Sequence, residues 1–99
     1  MIFMLAKKHE NMQSTVLAIC DKAILGKTFE EGNLSVTAKE HFYNGKEITE
    51  KEFDELIKEA DSLNLLGNKC VDLAIKKDIV DEKSVIVIGG IKHAQVYKL

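Results

Sequence analysis

Short apolar runs near both ends of the chain constrain its fold more than any other feature of the sequence. Residues 2–8 and 14–20 are two such runs, separated by polar residues, and residues 85–88 form a third. Runs of this length with β-branched residues are typical of strands and are too short for helices. The first two runs predict a hairpin, and the third predicts a buried strand.

The middle of the chain carries the clearest helix signal. Thr49 and Glu52 stand three residues apart, which is the capping-box pattern of a helix start. Apolar residues then recur at helical spacing from Phe53 onward, so a helix is predicted to begin at about residue 50. A second helix is predicted over residues 65–77, nearly continuous with the first.

Between the first hairpin and these helices, the sequence predicts a short helix and a second hairpin. Asp21 is placed as the N-cap of the short helix, which ends at Gly26 because glycine suits the left-handed position after a helix. Residues 34–38 alternate between apolar and polar types, which predicts a half-exposed strand. The Asn44-Gly45 pair that follows is a strong hairpin-turn signal.

The C-terminal stretch VIVIGGIKHAQVYKL raises a choice between a turn and an anion site. Successive glycine amides hold a phosphate when a helix follows them, but Gly89 and Gly90 are followed by an apparent strand. A tight turn is therefore favoured over a phosphate nest. Residues 85–88 are predicted to be a central buried strand, with residues 93–98 antiparallel beside it.

These elements predict an α+β fold. Strands at both ends with helices between them give a two-layer sandwich, in which a mixed or antiparallel sheet carries the helical pair on one face. The chain has no proline, no linker and no internal repeat, so residues 1–99 are expected to form one domain. A domain of this size has no room for a deep cavity, and a large substrate pocket would have to lie between the subunits of a homodimer.

Composition excludes some classes of function. The chain has 14 lysines and no arginine against 16 acidic residues, for a net charge of −2. Nucleic-acid coat proteins are strongly basic and readers of duplex sequence rely on arginine, so both classes are disfavoured. The N-terminus lacks a signal-peptide pattern and no apolar run could span a membrane, so a cytoplasmic location is expected. Cys20 and Cys70 are then expected to be reduced.

A candidate binding surface lies on the predicted last strand. His93 and Gln95 are two residues apart, so they share one face of that strand. Lys92 adds a neighbouring charge, and Lys27 and an exposed Tyr43 complete the surface. These side chains can form hydrogen bonds and stacking contacts with a nucleotide or with the backbone of a partner protein. The alternative is that these polar side chains only mark the solvent-exposed face of an edge strand.

A rival hypothesis places a thiol site at Cys20, Asp21 and His93. Cys20 ends a strand just before a predicted helix N-terminus, where a thiolate is stabilised, but the adjacent Asp21 opposes this effect. A buried structural cysteine is favoured over a nucleophile, because no Cys/His/Asn signature accompanies it. The sequence has no C-x-x-C or H-x-x-x-H pair, so neither a metal nor another cofactor is expected.

Four segments carry a resemblance to a known family. They are CDKAILGKTF at 20–29, FYNG at 42–45, NLLG at 64–67 and GGIKHAQV at 89–96. With these segments the chain resembles the small archaeal proteins grouped as domain of unknown function 424, over nearly its whole length. The resemblance implies a single α+β domain and no established activity, with a suggested link to RNA or translation.

The favoured function is therefore non-catalytic binding. The chain is predicted to be an adaptor in an archaeal cytoplasm, contacting RNA or a translation-associated protein through the surface that includes His93 and Gln95. A small enzyme or ligand-binding protein built on the thiol site is the alternative. The alternative demands contact between Cys20 and His93, because a base activates a thiol only at hydrogen-bond distance.

Overall fold

A mixed sheet flanked by helices organises residues 3–98, which a computed structural model of the chain describes. The strands are β1 (Met4–Glu10), β2 (Thr15–Asp21), β3 (Thr28–Glu31), β4 (Leu34–Thr37), β5 (Lys46–Ile48), β6 (Ser62–Leu66), β7 (Ile86–Ile88) and β8 (Ile91–Tyr97). The helices are α1 (Glu40–Tyr43), α2 (Glu50–Glu59) and α3 (Asn68–Lys76), with 3-10 turns at Lys22–Ile24 and Glu82–Ser84.

The main sheet has the strand order β5-β1-β2-β6-β8-β7, and β3 and β4 pair separately as a hairpin. Neighbouring strands are antiparallel except β2 and β6, which are parallel. The predicted α+β class with a mixed sheet is confirmed. The predicted first hairpin is β1 with β2, and residue 2 of the first predicted strand lies outside the described residues.

The two longer helices cover one face of the sheet, as predicted. The capping box at the start of α2 is complete, since the Thr49 hydroxyl accepts the Glu52 N–H and the Glu52 carboxylate accepts the Thr49 N–H. Beneath the helices lies a core whose largest fully buried side chains are Phe53, Met4, Leu17, Ile19, Ile48, Leu63, Leu65 and Val71. Burying an apolar side chain of this size contributes about 1.5–3 kcal/mol.

The opposite face of the sheet is only half covered. The β3–β4 hairpin and α1 pack over one end of it, against a second apolar cluster that includes Leu5, Cys20 and Leu66. At the other end of this face, α1 reaches β1 through the stacking of Phe42 on His9, and the side chains of Gln95 and Tyr97 on β8 are exposed. Polar side chains of the central strands are half-buried or exposed at this less covered end.

Asp21 caps a different helix from the one predicted. The segment after it makes only the 3-10 turn Lys22–Ile24, and the Asp21 side chain makes no hydrogen bond there. Its carboxylate instead accepts the N–H groups of Lys69 and Cys70, each at 2.9 Å, at the start of α3. Asp21 is thus the buried anion at a helix N-terminus, a favourable place for negative charge.

The predicted helix over residues 65–77 begins as a strand. Residues 62–66 form β6 at the centre of the sheet, between β2 and β8, and α3 starts only at Asn68. Gly67 lies between β6 and α3 with φ 124°, a backbone conformation that belongs to neither a strand nor a helix. The apolar spacing of this segment fits both element types, and long-range pairing decided for the strand.

The predicted hairpin at Asn44-Gly45 is wrong. A hairpin turn of that type needs positive φ at both residues, and neither residue has it. The strand predicted at 34–38 is β4, which pairs with β3 through a turn at residues 32–33. Residues 40–43 then form α1 instead of continuing the strand.

The predicted tight turn at Gly89-Gly90 is present, but the strand before it is not central. Gly89 and Gly90 have φ of 57° and 82° and join β7 to β8. β7 is the edge strand of the sheet, where Ile86 and Val87 are 53% and 47% exposed. Apolar composition alone could not distinguish an exposed edge from a buried centre.

No helix within residues 3–98 is long and apolar enough to cross a membrane.

Gly67→Ala is expected to destabilise the fold strongly. A Cβ on Gly67 would lie 2.5 Å from Cγ of Asp21, in a φ that L-residues rarely adopt. Strain of this kind costs roughly 1–3 kcal/mol, and displacing a buried capping carboxylate costs about as much again. Chemical denaturation measures the loss.

Gly90→Ala is the matched control. Gly90 also has positive φ, but nothing lies within 4 Å of the added Cβ, so this variant carries only the backbone cost. The difference between the two variants isolates the contact with Asp21. Equal losses would show that the close approach of Asp21 is unimportant.

Candidate functional site

Strand pairing places two rows of side chains at the less covered end of the sheet. His9, Val16, Ser62 and Tyr97 are successive neighbours across β1, β2, β6 and β8, and Lys7, Ala18, Asn64 and Gln95 form the row beside them. These eight residues define the open half-face, in which Gln95 and Tyr97 are exposed, Ala18 is buried and the others are half-buried. His93 lies two residues from Gln95 on the same face, where the covered end begins.

A stacked pair of rings forms one wall of the open half-face. The rings of His9 and Phe42 lie 4.6 Å apart at an interplanar angle of 15°, and Nε2 of His9 donates to the Phe42 carbonyl at 2.8 Å. The Phe42 ring in turn meets the Tyr43 ring edge-on at 4.9 Å. The imidazole is thereby fixed as a flat platform joined to α1.

A polar cluster lies where the open half-face meets the covered end. Oδ1 of Asn64 accepts the Tyr43 hydroxyl at 2.6 Å and is 3.3 Å from Nε2 of His93. A carbonyl oxygen only accepts, so Nε2 of His93 carries the proton in this contact, and Nδ1 keeps a lone pair. The cluster therefore offers a ligand the amide hydrogens of Asn64 beside the acceptor nitrogen of His93.

Burial sets the protonation of this cluster. It lowers the pKa of His93, so the ring is neutral at pH 7. Burial, followed by the nearby thiols of Cys20 and Cys70, raises the pKa of Tyr43, so its hydroxyl remains a hydrogen-bond donor. The contacts with Asn64 are consequently between neutral groups.

A groove runs from this cluster along α1. A cavity of about 310 Å³ is lined by Asn64, His93, His41 and Lys39 among others. A neighbouring cavity of about 610 Å³ shares Lys39 and His41 and extends to Gly26. With His9 stacked on Phe42 at the wall, the groove gathers all three histidines of the chain.

Positive charge is available along the groove. Nζ of Lys7 donates to the His41 carbonyl at 2.6 Å, which holds the ammonium at the groove wall. Within the described part of the chain, neither Lys7 nor Lys39 forms a salt bridge. Both charges can therefore attract an anionic ligand such as a phosphate, and Glu40, which lines the wider cavity, offsets part of this attraction at the Gly26 end.

The structure brings together only part of the predicted surface. His93 and Gln95 share a face, as the alternation predicted. Lys92 lies on the opposite face, where its Nζ is 2.6 Å from the Asp72 carboxylate. Lys27 is exposed beside Gly26, at the far end of the groove. Tyr43 is buried, contrary to prediction, because residues 40–43 are helical and its ring packs in the second cluster.

The Gly89-Gly90 turn already has an anionic partner within the chain. The Gly89 N–H donates to the Glu31 carboxylate at 3.0 Å, which ties the turn to the β3–β4 hairpin. A phosphate at this amide would have to displace that carboxylate. The turn thus serves to fasten the hairpin over the covered end of the sheet.

The thiol site is divided by the sheet. Cys20 faces the β3–β4 hairpin, whereas the next residue, Asp21, faces α3 and caps it. His93 pairs with Leu66, and Leu66 pairs with Cys20. The backbones of His93 and Cys20 are therefore separated by two strand spacings, about 10 Å. Burial, with a smaller effect of Asp21, raises the pKa of Cys20 to about 12, so the thiol stays protonated.

Residues 3–98 contain no group of three His, Cys, Asp or Glu side chains placed to hold a metal ion.

Sequence reasoning missed His9, His41 and Asn64, and it chose Tyr43 instead of its neighbour Phe42 as the stacking ring. Asn64 fell between the two predicted helices, one residue before the second, and His9 and His41 are 32 residues apart in the sequence. Only the pairing of β1, β2 and β6, together with the placement of α1, brings them to one groove. Lys7 and His9 stand in a run of four polar residues, 7–10, so no alternation of apolar and polar types marked their face of β1.

Comparison with known proteins places this chain among uncharacterised relatives. The family described as "Protein of unknown function (DUF424)" matches residues 9–99. The chain is also similar to a solved structure, that of an uncharacterized conserved protein from Methanopyrus kandleri. Identity is 26% and the TM-score 0.80, covering 97% of this chain and 91% of that one. No curated protein matches the chain.

Neither cysteine is expected to react with a thiol reagent in the folded protein. Cys20 and Cys70 are both fully buried, and burial raises the pKa of each thiol, so little thiolate exists near neutral pH. Labelling with an aromatic disulfide should proceed only after addition of denaturant. Rapid labelling of one thiol in native buffer would instead support the hypothesis of a nucleophilic cysteine.

His93 is expected to titrate below the pKa of about 6.5 that is typical of an exposed imidazole. Because its pKa is lower in the folded state, the unfolded chain binds the proton first, and stability falls as the pH drops below about 6.5. His93→Gln should remove that part of the pH dependence. Thermal melts at about pH 7 and pH 5, with NMR titration of the ring, measure both effects.

Proposed function

We propose that this chain, which belongs to the DUF424 family, is a non-catalytic binding module that holds a short single-stranded segment of RNA on its open half-face. One observation supports the proposal above all others. Two aromatic platforms, the exposed Tyr97 ring and the half-buried His9–Phe42 stack, lie on the same sheet face with hydrogen-bonding side chains between them. This is the arrangement on which sheets stack unpaired bases.

The spacing of the platforms suits more than one nucleotide. Tyr97 on β8 and His9 on β1 are three strand spacings apart, about 14 Å. Tyr97 is 73% exposed, so its ring is free to stack on a base. Between the platforms, Ser62, Asn64 and Gln95 offer donors and acceptors to base edges and to the ribose hydroxyl.

The charge pattern favours a single strand over a duplex. Lys7 and Lys39 line one side of the groove and Lys27 lies at its end, which provides a few phosphate contacts without a broad basic surface. A duplex presents stacked bases that a flat sheet cannot reach. With few lysines engaged, binding should weaken only modestly with added salt.

The biological setting proposed is an archaeal cytoplasm, as the similarity to the Methanopyrus kandleri protein suggests. A translation-associated protein is the other partner class that the sequence favoured. RNA is preferred to it here because Tyr97 and the His9–Phe42 stack share the open half-face with Lys7 and with no carboxylate, and rings beside a positive charge are the combination on which unpaired bases stack.

Binding of a fluorescein-labelled single-stranded RNA of mixed sequence, followed by anisotropy, tests the proposal. The same sequence closed into a hairpin duplex should bind more weakly. Tyr97→Ala and His9→Ala should each weaken binding of the single strand by roughly 5- to 140-fold, since stacking of one base is worth about 1–3 kcal/mol.

Met12→Ala is the matched control, because Met12 is fully exposed in the β1–β2 turn and lies off the open half-face. Its affinity should equal that of the wild type, and thermal melts should show that all three variants are folded. Affinities of Tyr97→Ala and His9→Ala equal to wild type would contradict the proposal. So would the absence of any RNA binding by the wild type.

A further inference from the structure

The two edges of the main sheet differ in chemistry. The β5 edge carries the exposed charges of Lys46 and Glu47, which pair with Glu52 and Lys22. Charged side chains on an edge strand discourage pairing with another chain. The β7 edge, Ile86–Ile88, carries no charged residue.

Apolar side chains of β7 are exposed on both faces of the sheet. Ile86 and Val87 are about half exposed, and successive residues of a strand point to opposite faces. Leu34, which is 54% exposed, lies at the start of β4 in the hairpin that contacts β7. Three of the five exposed large apolar side chains in residues 3–98 thus belong to this edge or to the hairpin beside it.

The backbone of Val87 is oriented for pairing with a further strand. Val87 is opposite Lys92 on β8. The Lys92 carbonyl accepts the Gly67 N–H, and the Lys92 N–H donates to the Asn68 side chain, both at 2.9 Å on the β6 side. Val87 and Lys92 are therefore a non-hydrogen-bonded pair, and the N–H and C=O of Val87 point outward from the sheet.

We propose that β7 is the interface of a homodimer, in which β7 of a second copy adds antiparallel with Val87 at the two-fold axis. This register places Val87 opposite Val87 and Ile86 opposite Ile88, so that apolar side chains meet only apolar ones. The same operation on β5 would set Glu47 against Glu47, which is repulsive. A second copy fits β7 because the strand is self-complementary under two-fold symmetry.

The dimer places two open half-faces on the same side of one continuous sheet. A two-fold axis through a hydrogen-bonded strand pair is perpendicular to the sheet, so each face continues into the same face of the second copy. If the proposed RNA function holds, one strand of RNA can engage both copies, and the second contact is intramolecular. The dimer itself does not depend on RNA binding.

Sedimentation equilibrium of the full chain over a range of micromolar concentrations tests the proposal. The wild type should approach twice the 11.1 kDa mass of the chain. Val87→Lys should give the mass of one chain, because two ammonium groups would meet at the axis. Met12→Lys, which adds the same charge at a fully exposed site away from β7, should remain a dimer.

A cysteine cross-link tests the register with a variant that adds no charge to the strand. Cα atoms of a hydrogen-bonded antiparallel pair are about 5.5 Å apart, within the range that a disulfide bridges. Val87→Cys should therefore form a cross-linked dimer under mild oxidation, whereas Met12→Cys should not. The native thiols are buried and should not interfere.

A wild type that sediments as a monomer at every concentration would overturn the homodimer. A dimer that survives Val87→Lys, or cross-links equally through Met12→Cys, would show that the copies associate elsewhere. In either case the RNA-binding measurement on Tyr97 and His9 is unaffected, so failure of the dimer is distinguishable from failure of the proposed function.

Discussion

The buried carboxylate of Asp21 joins the two layers of this fold. Asp21 is the last residue of β2, and its carboxylate accepts the N–H groups of Lys69, 48 residues later, and of Cys70 at the start of α3. This contact fixes where the helix begins relative to the sheet. A capping carboxylate of this kind contributes about 1–2 kcal/mol. It also explains Gly67, since no side chain could occupy the space that the carboxylate fills. The β6–Gly67–α3 segment that places Asn64 in the groove is held at this point.

Partial coverage of the second sheet face then decides where chemistry is accessible. The hairpin of β3 and β4, fastened through Glu31 to Gly89, leaves the ends of the central strands open. Burying a polar side chain at the border of the covered region costs free energy unless the side chain forms hydrogen bonds. Asn64 meets this requirement by accepting from both Tyr43 and His93, and it retains amide hydrogens for a ligand.

The sequence predicted the elements that local signals specify and missed those that distant contacts specify. The capping box at Thr49, the terminal strands and the Gly89-Gly90 turn all follow from neighbouring residues. The strand β6 does not, because its apolar spacing also fits a helix, and its parallel pairing with β2 is remote in sequence. His93 and Gln95 were found from alternation alone. Their neighbours His9 and Asn64 reach them only through the strand order.

The two faces of the sheet differ in charge, although the chain as a whole is acidic. Glu50, Asp54 and most of the other carboxylates of α2 lie in the helical layer, where Lys77 pairs with two of them across to α3. The open half-face itself carries Lys7 and no carboxylate. Salt screens exposed charges beyond about 8–10 Å, so a ligand on that face responds chiefly to the nearby lysines and little to the helical layer. A net charge of −2 is therefore compatible with an anionic ligand, provided that it approaches from the side opposite α2 and α3.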